Sequence, residues 1–389
     1  MKEPLFIDIS CYQLKKWGQN AFGDTYMSKR YPEQGRLIAT LSDGLGSGIK
    51  ANILSQMTAT MLLKFVAAGK DILRASEVIM NSLPICQVRK ISYATFSIID
   101  CYDNGAVRII EEGNPQFIWL RGASVFEPEA EIIESKNFSN RQLQLYRLQL
   151  QPGDRLIFCS DGVTQAGMGS RALPLGWKRE GLIRFLVEEI IKNPFVPSNQ
   201  LAKAMVETAT TKERDYKLKD DAAAMVLHFR QPRKAMVFTG LPYYESRDSE
   251  YAERLADFQG KKAVCGGSTA NMIARELKRP IKGMVRGVGD LPPCSLIDGI
   301  DLVTEGILTL SRTADYLENG IENNEDPAGL LCNLLLNSDC IEFLVGAKFN
   351  MSHFDPDLPI ELEIRKTVVK KMIKLLTEKH LKKVEAEFF

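Results

Sequence analysis

Four aspartates stand where short apolar runs begin or stop. Arg36 to Ser42 reads as a strand and ends in Asp43-Gly44, and Arg155 to Cys159 reads as another, ending in Ser160-Asp161-Gly162. Asp220 directly precedes the apolar run Ala223 to Phe229, and Asp24 follows Gly23 at a turn. A single Asp-Gly is ordinarily only a turn. Four such carboxylates are different, because the strand ends of one sheet can converge on one point. Asp followed by Gly lets a carboxylate and a backbone carbonyl approach a cation together, and an all-oxygen set of this kind favours Mg or Mn over zinc.

Composition narrows the chemistry in the same direction. The three histidines are His228, His353 and His380, which excludes a histidine-rich zinc or iron centre. None of the eight cysteines stands in a Cys-x-x-Cys pair, and none precedes an arginine at the spacing of a thiol-phosphatase loop. Most of them are expected in the core, Cys159 included, as small apolar side chains. Fifty basic against 49 acidic residues leave a net charge of +1, which gives no basis for a nucleic-acid partner. The opening segment has no signal-peptide pattern, and no run approaches about 18 uncharged apolar residues. The expectation is a cytoplasmic protein without a membrane segment, its thiols reduced.

At about 150 residues per domain, 389 residues suggest two or three domains. In residues 1–230, strands are expected at Leu5 to Tyr12, Arg36 to Ser42, Gln144 to Leu150, Arg155 to Cys159 and Ala223 to Phe229. Tyr93 to Cys101, Ala106 to Glu111 and Gln116 to Arg121 read as an antiparallel set joined by tight turns. A helix from Ile49 to Ala68 carries Ile53, Met57, Thr60 and Leu63 at helical spacing, and further helices are expected at Asp71 to Ser82, near 179–191 and near 198–211. Strands, then helices, then strands predict an α+β fold in which antiparallel sheets pack face to face with helices outside. Gln231-Pro232-Arg233-Lys234 reads as a linker. In residues 231–389, short strands at Ala235 to Thr239, Lys262 to Cys265, Ile300 to Thr304 and Ile341 to Val345 alternate with helices, as in a smaller α/β domain. A last helical stripe of Val369, Met372, Ile373 and Leu376 is expected to run to the chain end.

The first 230 or so residues resemble the metal-dependent type 2C protein phosphatases, in the bacterial form typified by stage II sporulation protein E. Gly23-Asp24 is similar to that family's first Gly-Asp, and Ser42-Asp43-Gly44-Leu45-Gly46-Ser47-Gly48 matches its Gly-rich segment ahead of a long helix. Gly113-Asn114-Pro115 takes the place of its Gly-His-Pro turn. Leu150 to Leu156 followed by Ser160-Asp161-Gly162-Val163-Thr164 resembles its second Asp-Gly, and Lys219-Asp220-Asp221 its terminal Asp-Asp. Two positions depart from the pattern: Asn114 replaces the histidine, and Ala222-Ala223 follows Asp221 where a threonine is usual.

The resemblance implies a β-sandwich with two Mn or Mg ions at one end. Asp43 would bridge both, the Gly44 carbonyl would join one, Asp161 and Asp220 would complete the other, and Asp24 would lie nearby. It implies a serine/threonine phosphatase in which a metal-activated water attacks a phosphoprotein, by analogy an anti-anti-sigma-type regulator, with no histidine general acid. The alternative is a phosphatase-fold signalling scaffold governed by a ligand of the C-terminal domain. A homodimer fits either reading. Ser47 and Lys50 would touch phosphate or simply open and solvate the helix.

The C-terminal domain resembles no family. Gly266, Gly267, Ser268 and Thr269 lie between a strand and a helix start, a layout in which backbone N–H groups can hold an anion; a tight turn capped by Ser268 or Thr269 is the simpler expectation. Gly287-Val288-Gly289 is too short for a dinucleotide fingerprint. No base, nucleophile or metal cluster stands out there, which favours a regulatory, ligand-binding role over a second catalytic one.

Overall fold

A computed structural model describes residues 4–82, 94–134, 142–284, 294–347 and 358–389. Cys86, His353 and the Gly287-Val288-Gly289 phrase lie outside the described residues. The chain forms two compact units, Met1–Gln231 and Pro232–Phe389.

The first unit opens with β1 (Phe6–Leu14), β2 (Asp24–Tyr31) and β3 (Arg36–Gly44), followed by helices α1 (Ile49–Ala67) and α2 (Ile72–Ser82). Strands β4 (Ala94–Tyr102), β5 (Ala106–Glu112), β6 (Ile118–Arg121), β7 (Ser124–Phe126), β8 (Glu131–Glu134), β9 (Gln142–Gln149) and β10 (Asp154–Cys159) come next. A short helix α3 (Asp161–Thr164), then α4 (Lys178–Lys192) and α5 (Ser198–Lys212), lead to β11 (Ala222–Arg230). Two antiparallel sheets result, ordered β2-β3-β4-β5-β9-β8 and β1-β11-β10-β6-β7.

Most core strands are apolar on both faces, and their period of two sorts side chains between layers. Leu37 and Ala39 pack between the sheets with Ile99, Phe117, Phe158 and Met225, whereas Ile38 faces outward onto Leu62, Val66 and Ile79 of α1 and α2. Val226 faces the other way, onto Leu201 and Met205 of α5. The sandwich is thus covered by helices on both outer faces.

Three expectations need correction. Gln116 to Arg121 does not continue the β4–β5 set: β6 pairs with β10 and β7 in the opposite sheet. The Gly113-Asn114-Pro115 turn carries the chain across, held by Glu111, whose carboxylate accepts the Phe117 N–H (3.3 Å) and the Ser97 hydroxyl (3.0 Å). Second, α1 buries small residues, Ala51, Ser55, Thr58 and Ala59 with Leu62 and Val66, and turns Ile49, Ile53 and Met57 outward. The apolar periodicity pointed to the wrong face because the helix lies too close to β3 for large side chains. Third, the final helix stops short of the chain end.

That end belongs to the second unit, built from β12 (Lys234–Thr239), α6 (Asp248–Asp257), β13 (Lys261–Cys265), α7 (Gly267–Glu276), β14 (Lys282–Met284), β15 (Ser295–Leu296), β16 (Leu302–Thr304), α8 (Ile307–Asn319), α9 (Pro327–Leu336), β17 (Cys340–Val345), α10 (Leu358–Glu378) and β18 (Lys383–Phe388). The sheet order is β14-β15-β16-β13-β12-β17-β18, with β16, β13, β12, β17 and β18 parallel and β14 and β15 antiparallel at one edge. Helices α6 and α7 cover one face, through Tyr251, Leu255 and Ile273 against Met236 and Phe238. Helices α8, α9 and α10 cover the other, through Leu310, Leu331 and Met372 against Val237 and Phe343. Cys101, Cys159, Cys265 and Cys332 are buried and Cys11, Cys294 and Cys340 half-buried. Among the described residues no helix is long and apolar enough to cross a membrane.

Candidate active site

Both sheets of the first unit bring aspartates to the same end of the sandwich. In one sheet Asp24 opens β2 and pairs directly with Asp43 on β3. In the other, Asp161 follows β10 as the first residue of α3, while Asp220 and Asp221 precede β11, the strand that pairs with β10. The Ala223 N–H donates to the Ser160 hydroxyl oxygen (2.9 Å), tying the two aspartate-bearing loops together.

Two glycines set how closely the pieces approach. A Cβ on Gly44 would stand 2.1 Å from the Ala51 carbonyl oxygen of α1, and one on Gly162 would stand 2.0 Å from the carbonyl oxygen of Asp221. Neither position admits a side chain, so each Asp-Gly phrase has a steric reason beyond turn formation. The first residues of α1 are fixed by Asn52, whose side-chain amide donates to the Phe22 carbonyl (2.8 Å), and by a bond between the Thr25 and Ser55 hydroxyls (2.7 Å). Gly48 is the N-cap of α1 and no side chain caps it; Ser47 is half-buried and Lys50 exposed.

Burial and mutual repulsion dominate the electrostatics. Asp24 is 3% exposed, and neither of its carboxylate oxygens has a hydrogen-bond partner. Burial, opposed by the nearby Ser160 hydroxyl, which stands outside hydrogen-bond geometry, and aided by the charges of Asp221, Asp161 and Asp220, holds its pKa at about 7. Burial first, then the charges of Asp24, Asp161 and Asp220, push the Asp43 carboxyl up to about 10. Burial also raises Asp161, against the Asp43 hydrogen bond and the Gln165 side-chain amide (2.8 Å), and burial raises Asp220.

Asp24, Asp43, Asp161 and Asp220, spread over nearly 200 residues of sequence, are therefore within electrostatic reach of one another. Among the described residues no three His, Cys, Asp or Glu side chains are drawn around one point as a finished metal site. The donor set still suits a hard divalent cation: all oxygen, largely buried, with both oxygens of Asp24 unpartnered.

Asp221 was not expected in the site. It is 3% exposed, accepts the Lys16 N–H through Oδ1 (3.2 Å) and has no partner at Oδ2. The Asp220-Asp221 doublet was its sequence signal, since successive residues around a strand start point different ways. Asn114 is half-buried and stitches strands together, accepting from the Thr95 hydroxyl and donating to Ser97 Oγ (3.0 Å) and the Leu41 carbonyl (3.3 Å). His228 lies toward the far end of β11, opposite Asp8 and Arg155, and His380 contacts the Leu317 carbonyl in the second unit.

In the second unit, Gly266 is the N-cap of α7 with φ +129°, and no side chain caps that helix. The Thr269 hydroxyl oxygen instead accepts the Gly240 N–H (3.0 Å), fastening the end of β12.

A helix-flanked antiparallel sandwich with this acidic cluster at one end defines a domain of the type 2C phosphatase class. The chain belongs to the stage II sporulation protein E (SpoIIE) family, whose family model matches residues 33–230. It is 30% identical over 150 residues to stage II sporulation protein E of Bacillus subtilis (strain 168), an alignment covering 38% of this chain and 18% of that protein. The chain thus spans less than a fifth of that relative's length. Among solved structures, it is similar to the PP2C phosphatase domain with a regulatory-domain fragment of SpoIIE from Bacillus subtilis, at 21% identity and TM-score 0.47, covering 58% of this chain and 64% of that one. It is also similar to the SiaA-PP2C domain of Pseudomonas aeruginosa, at 14% identity and TM-score 0.44, covering 56% and 85%.

Proposed function

We propose that the chain is a divalent-metal-dependent protein serine/threonine phosphatase acting on a phosphoprotein in bacterial signalling, with residues 1–230 as the catalytic domain. The observation that carries this reading is the convergence of Asp24, Asp43, Asp161 and Asp220 at one end of the sandwich, with both Asp24 oxygens buried and unpartnered. Asp24, Asp43, the Gly44 carbonyl, Asp161 and Asp220 would hold two Mn or Mg ions. Such ions, when bound, lower the pKa of coordinated water and offset charge on phosphoryl oxygens.

The chain's own residues prepare the place. Gly44 and Gly162 let α1 and the Asp221 backbone close against the strand ends, which fixes where Asp43 and Asp161 stand. Gln165 orients Asp161, and the Lys16 N–H orients Asp221. The first unit's one histidine, His228, stands opposite Asp8 and Arg155 rather than beside the aspartates, so within this unit the leaving alkoxide would take its proton from water or from the substrate's surroundings. A phosphorylated regulator of the anti-anti-sigma type is the expected substrate, by analogy with the family.

The test is hydrolysis of a phosphoserine peptide and of an aryl phosphate by the purified chain. Turnover that requires added Mn or Mg and is abolished by EDTA is expected. Manganese binding without turnover on either compound would instead favour a phosphatase-fold scaffold.

A further inference from the structure

In the second unit the parallel strands run, in chain order, third-second-first-fourth-fifth across the sheet: β16, β13, β12, β17, β18. The order reverses between β12 and β17. After β12 the chain passes to α6 on one face, and the next element after β17, α10, packs on the other. Open α/β sheets bind ligands in the crevice outside the carboxyl ends of the strands at such a switch point.

The crevice is present. A cavity of about 360 Å³ is lined by Tyr243, Tyr244 and Arg247 beyond β12, by Ala347 beyond β17, by Lys366 of α10 and by Phe388 of β18, among others. This volume falls in the lower part of the range for small-molecule sites. Backbone meets backbone at the two strand ends: a Cβ on Gly346 would lie 2.2 Å from the Leu241 carbonyl oxygen, and one on Gly240 2.6 Å from that of Gly346.

We propose that this pocket binds a nucleoside phosphate, its planar ring against the tyrosines and its phosphate on Arg247 and Lys366. Tyr243 and Tyr244 are 58% and 64% exposed although their rings meet edge to face at 4.9 Å, so two flat apolar surfaces stand open beside the cations. The Arg247 guanidinium lies over the Tyr251 ring at 4.7 Å and forms two bonds of 2.8 Å to Glu250. That ion pair is in contact with water and contributes little, so a phosphate, a better bidentate partner, can replace the carboxylate. Gly266, Gly267, Ser268 and Thr269 are not among the residues that line this pocket, and the Thr269 hydroxyl accepts the Gly240 N–H instead.

The proposal does not rest on the phosphatase reading, and its test is run in EDTA so that divalent cations at the acidic cluster contribute nothing. Binding of AMP, GMP, UMP and FMN to the full chain is measured by ligand-observed NMR, beside adenosine and inorganic phosphate. At least one nucleotide is expected to bind with Kd below about 1 mM. Adenosine and inorganic phosphate should each bind at least about tenfold more weakly, because each lacks either the charge or the stack. Tyr244→Ala and Lys366→Glu should each weaken binding about tenfold or more, the loss expected for one stack or one phosphate contact. Phe195→Ala, at an exposed aromatic of the first unit, should not change it. Failure of all four nucleotides to bind at about 1 mM would overturn the proposal. So would inorganic phosphate binding as tightly as a nucleotide, or unchanged affinity in both pocket variants with melting temperatures equal to the parent's.

Discussion

Asp24 and Asp43 stand directly opposite each other on β2 and β3, and among Asp43's neighbours the charge of Asp24 weighs most on its carboxyl. Burial and that charge hold the Asp43 carboxyl far above the ordinary carboxylate range, and a carboxyl held there is kept at a cost to folding near neutral pH. A fold that keeps them opposed and buried carries a local cost that a divalent cation held by these carboxylates would relieve.

The first prediction follows from this pair. Asp43→Asn should abolish manganese-dependent hydrolysis of a phosphoserine peptide, yet the metal-free variant should melt at a higher temperature than the parent. Manganese should raise the parent's melting temperature and leave the variant's nearly unchanged. Thermal denaturation with and without EDTA, run beside the activity assay, checks all three, and full activity in the variant would sink the metal mechanism.

A second prediction concerns space. Gly44→Ala places a methyl group 2.1 Å from the Ala51 carbonyl oxygen, so β3 and α1 must part. A destabilisation of about 1–3 kcal/mol is expected, as for other overpacked sites. Activity should fall further than that loss of folded protein explains, since Asp43 moves with the strand. Urea titration and kcat on folded material separate the two effects.

Asp100 supports a third. It is fully buried, bonded by Arg36 at 2.6 and 3.1 Å and by Arg108 at 2.7 Å. Asp100→Ala leaves the buried Arg36 guanidinium uncompensated and should cost about 3–5 kcal/mol. Denaturant unfolding of the first unit, followed by tryptophan fluorescence, measures it; all three tryptophans, Trp17, Trp119 and Trp177, lie in that unit. A change below about 1 kcal/mol would mean that the pair is of the weak surface kind.

Glu111 supplies a pH dependence. Burial pushes its carboxyl up to about 8, although the Phe117 N–H, the Ser97 hydroxyl and Arg179 all favour the charged form. Between its unfolded value near 4.5 and about 8, the native state holds a proton that the unfolded state releases, so Glu111 makes stability fall as pH rises through that window. Glu111→Gln removes the contribution. The melting temperature of the variant relative to the parent should therefore rise from pH 5 to pH 8 and level off above; a difference that stays constant with pH would place the Glu111 carboxyl near its ordinary value.

How much of this was legible beforehand depended on whether the signal was local. Asp43 and Asp161 were readable because each combines an apolar run with a Gly whose missing side chain is demanded by a neighbour, Ala51 for one and the Asp221 backbone for the other. The layered character of the first unit was readable for a similar reason, since Leu37, Ile38 and Ala39 alternate between two apolar surroundings. The buried face of α1 was not, because Ala51, Ser55 and Ala59 are chosen for closeness to β3 rather than for hydrophobicity. Nor was the sheet membership of β6, which depends on Glu111 reaching Phe117 across a turn. The closing strand β18 was masked because Lys383 to Phe388 alternates charged with apolar residues at a half-exposed sheet edge.

The pairing of β1 with β11 joins the beginning of the first unit to its end, Phe6 to Arg230 and Leu14 to Ala222. β1 sits at the margin of its sheet with β11 as its one neighbour there. As the polypeptide leaves the ribosome, β1 waits through more than 200 residues before its partner appears, and Asp220 and Asp221 emerge at almost the same moment. The acidic cluster therefore assembles only when the whole unit has been synthesised, and a nascent chain that stops short of β11 lacks Asp220 and Asp221.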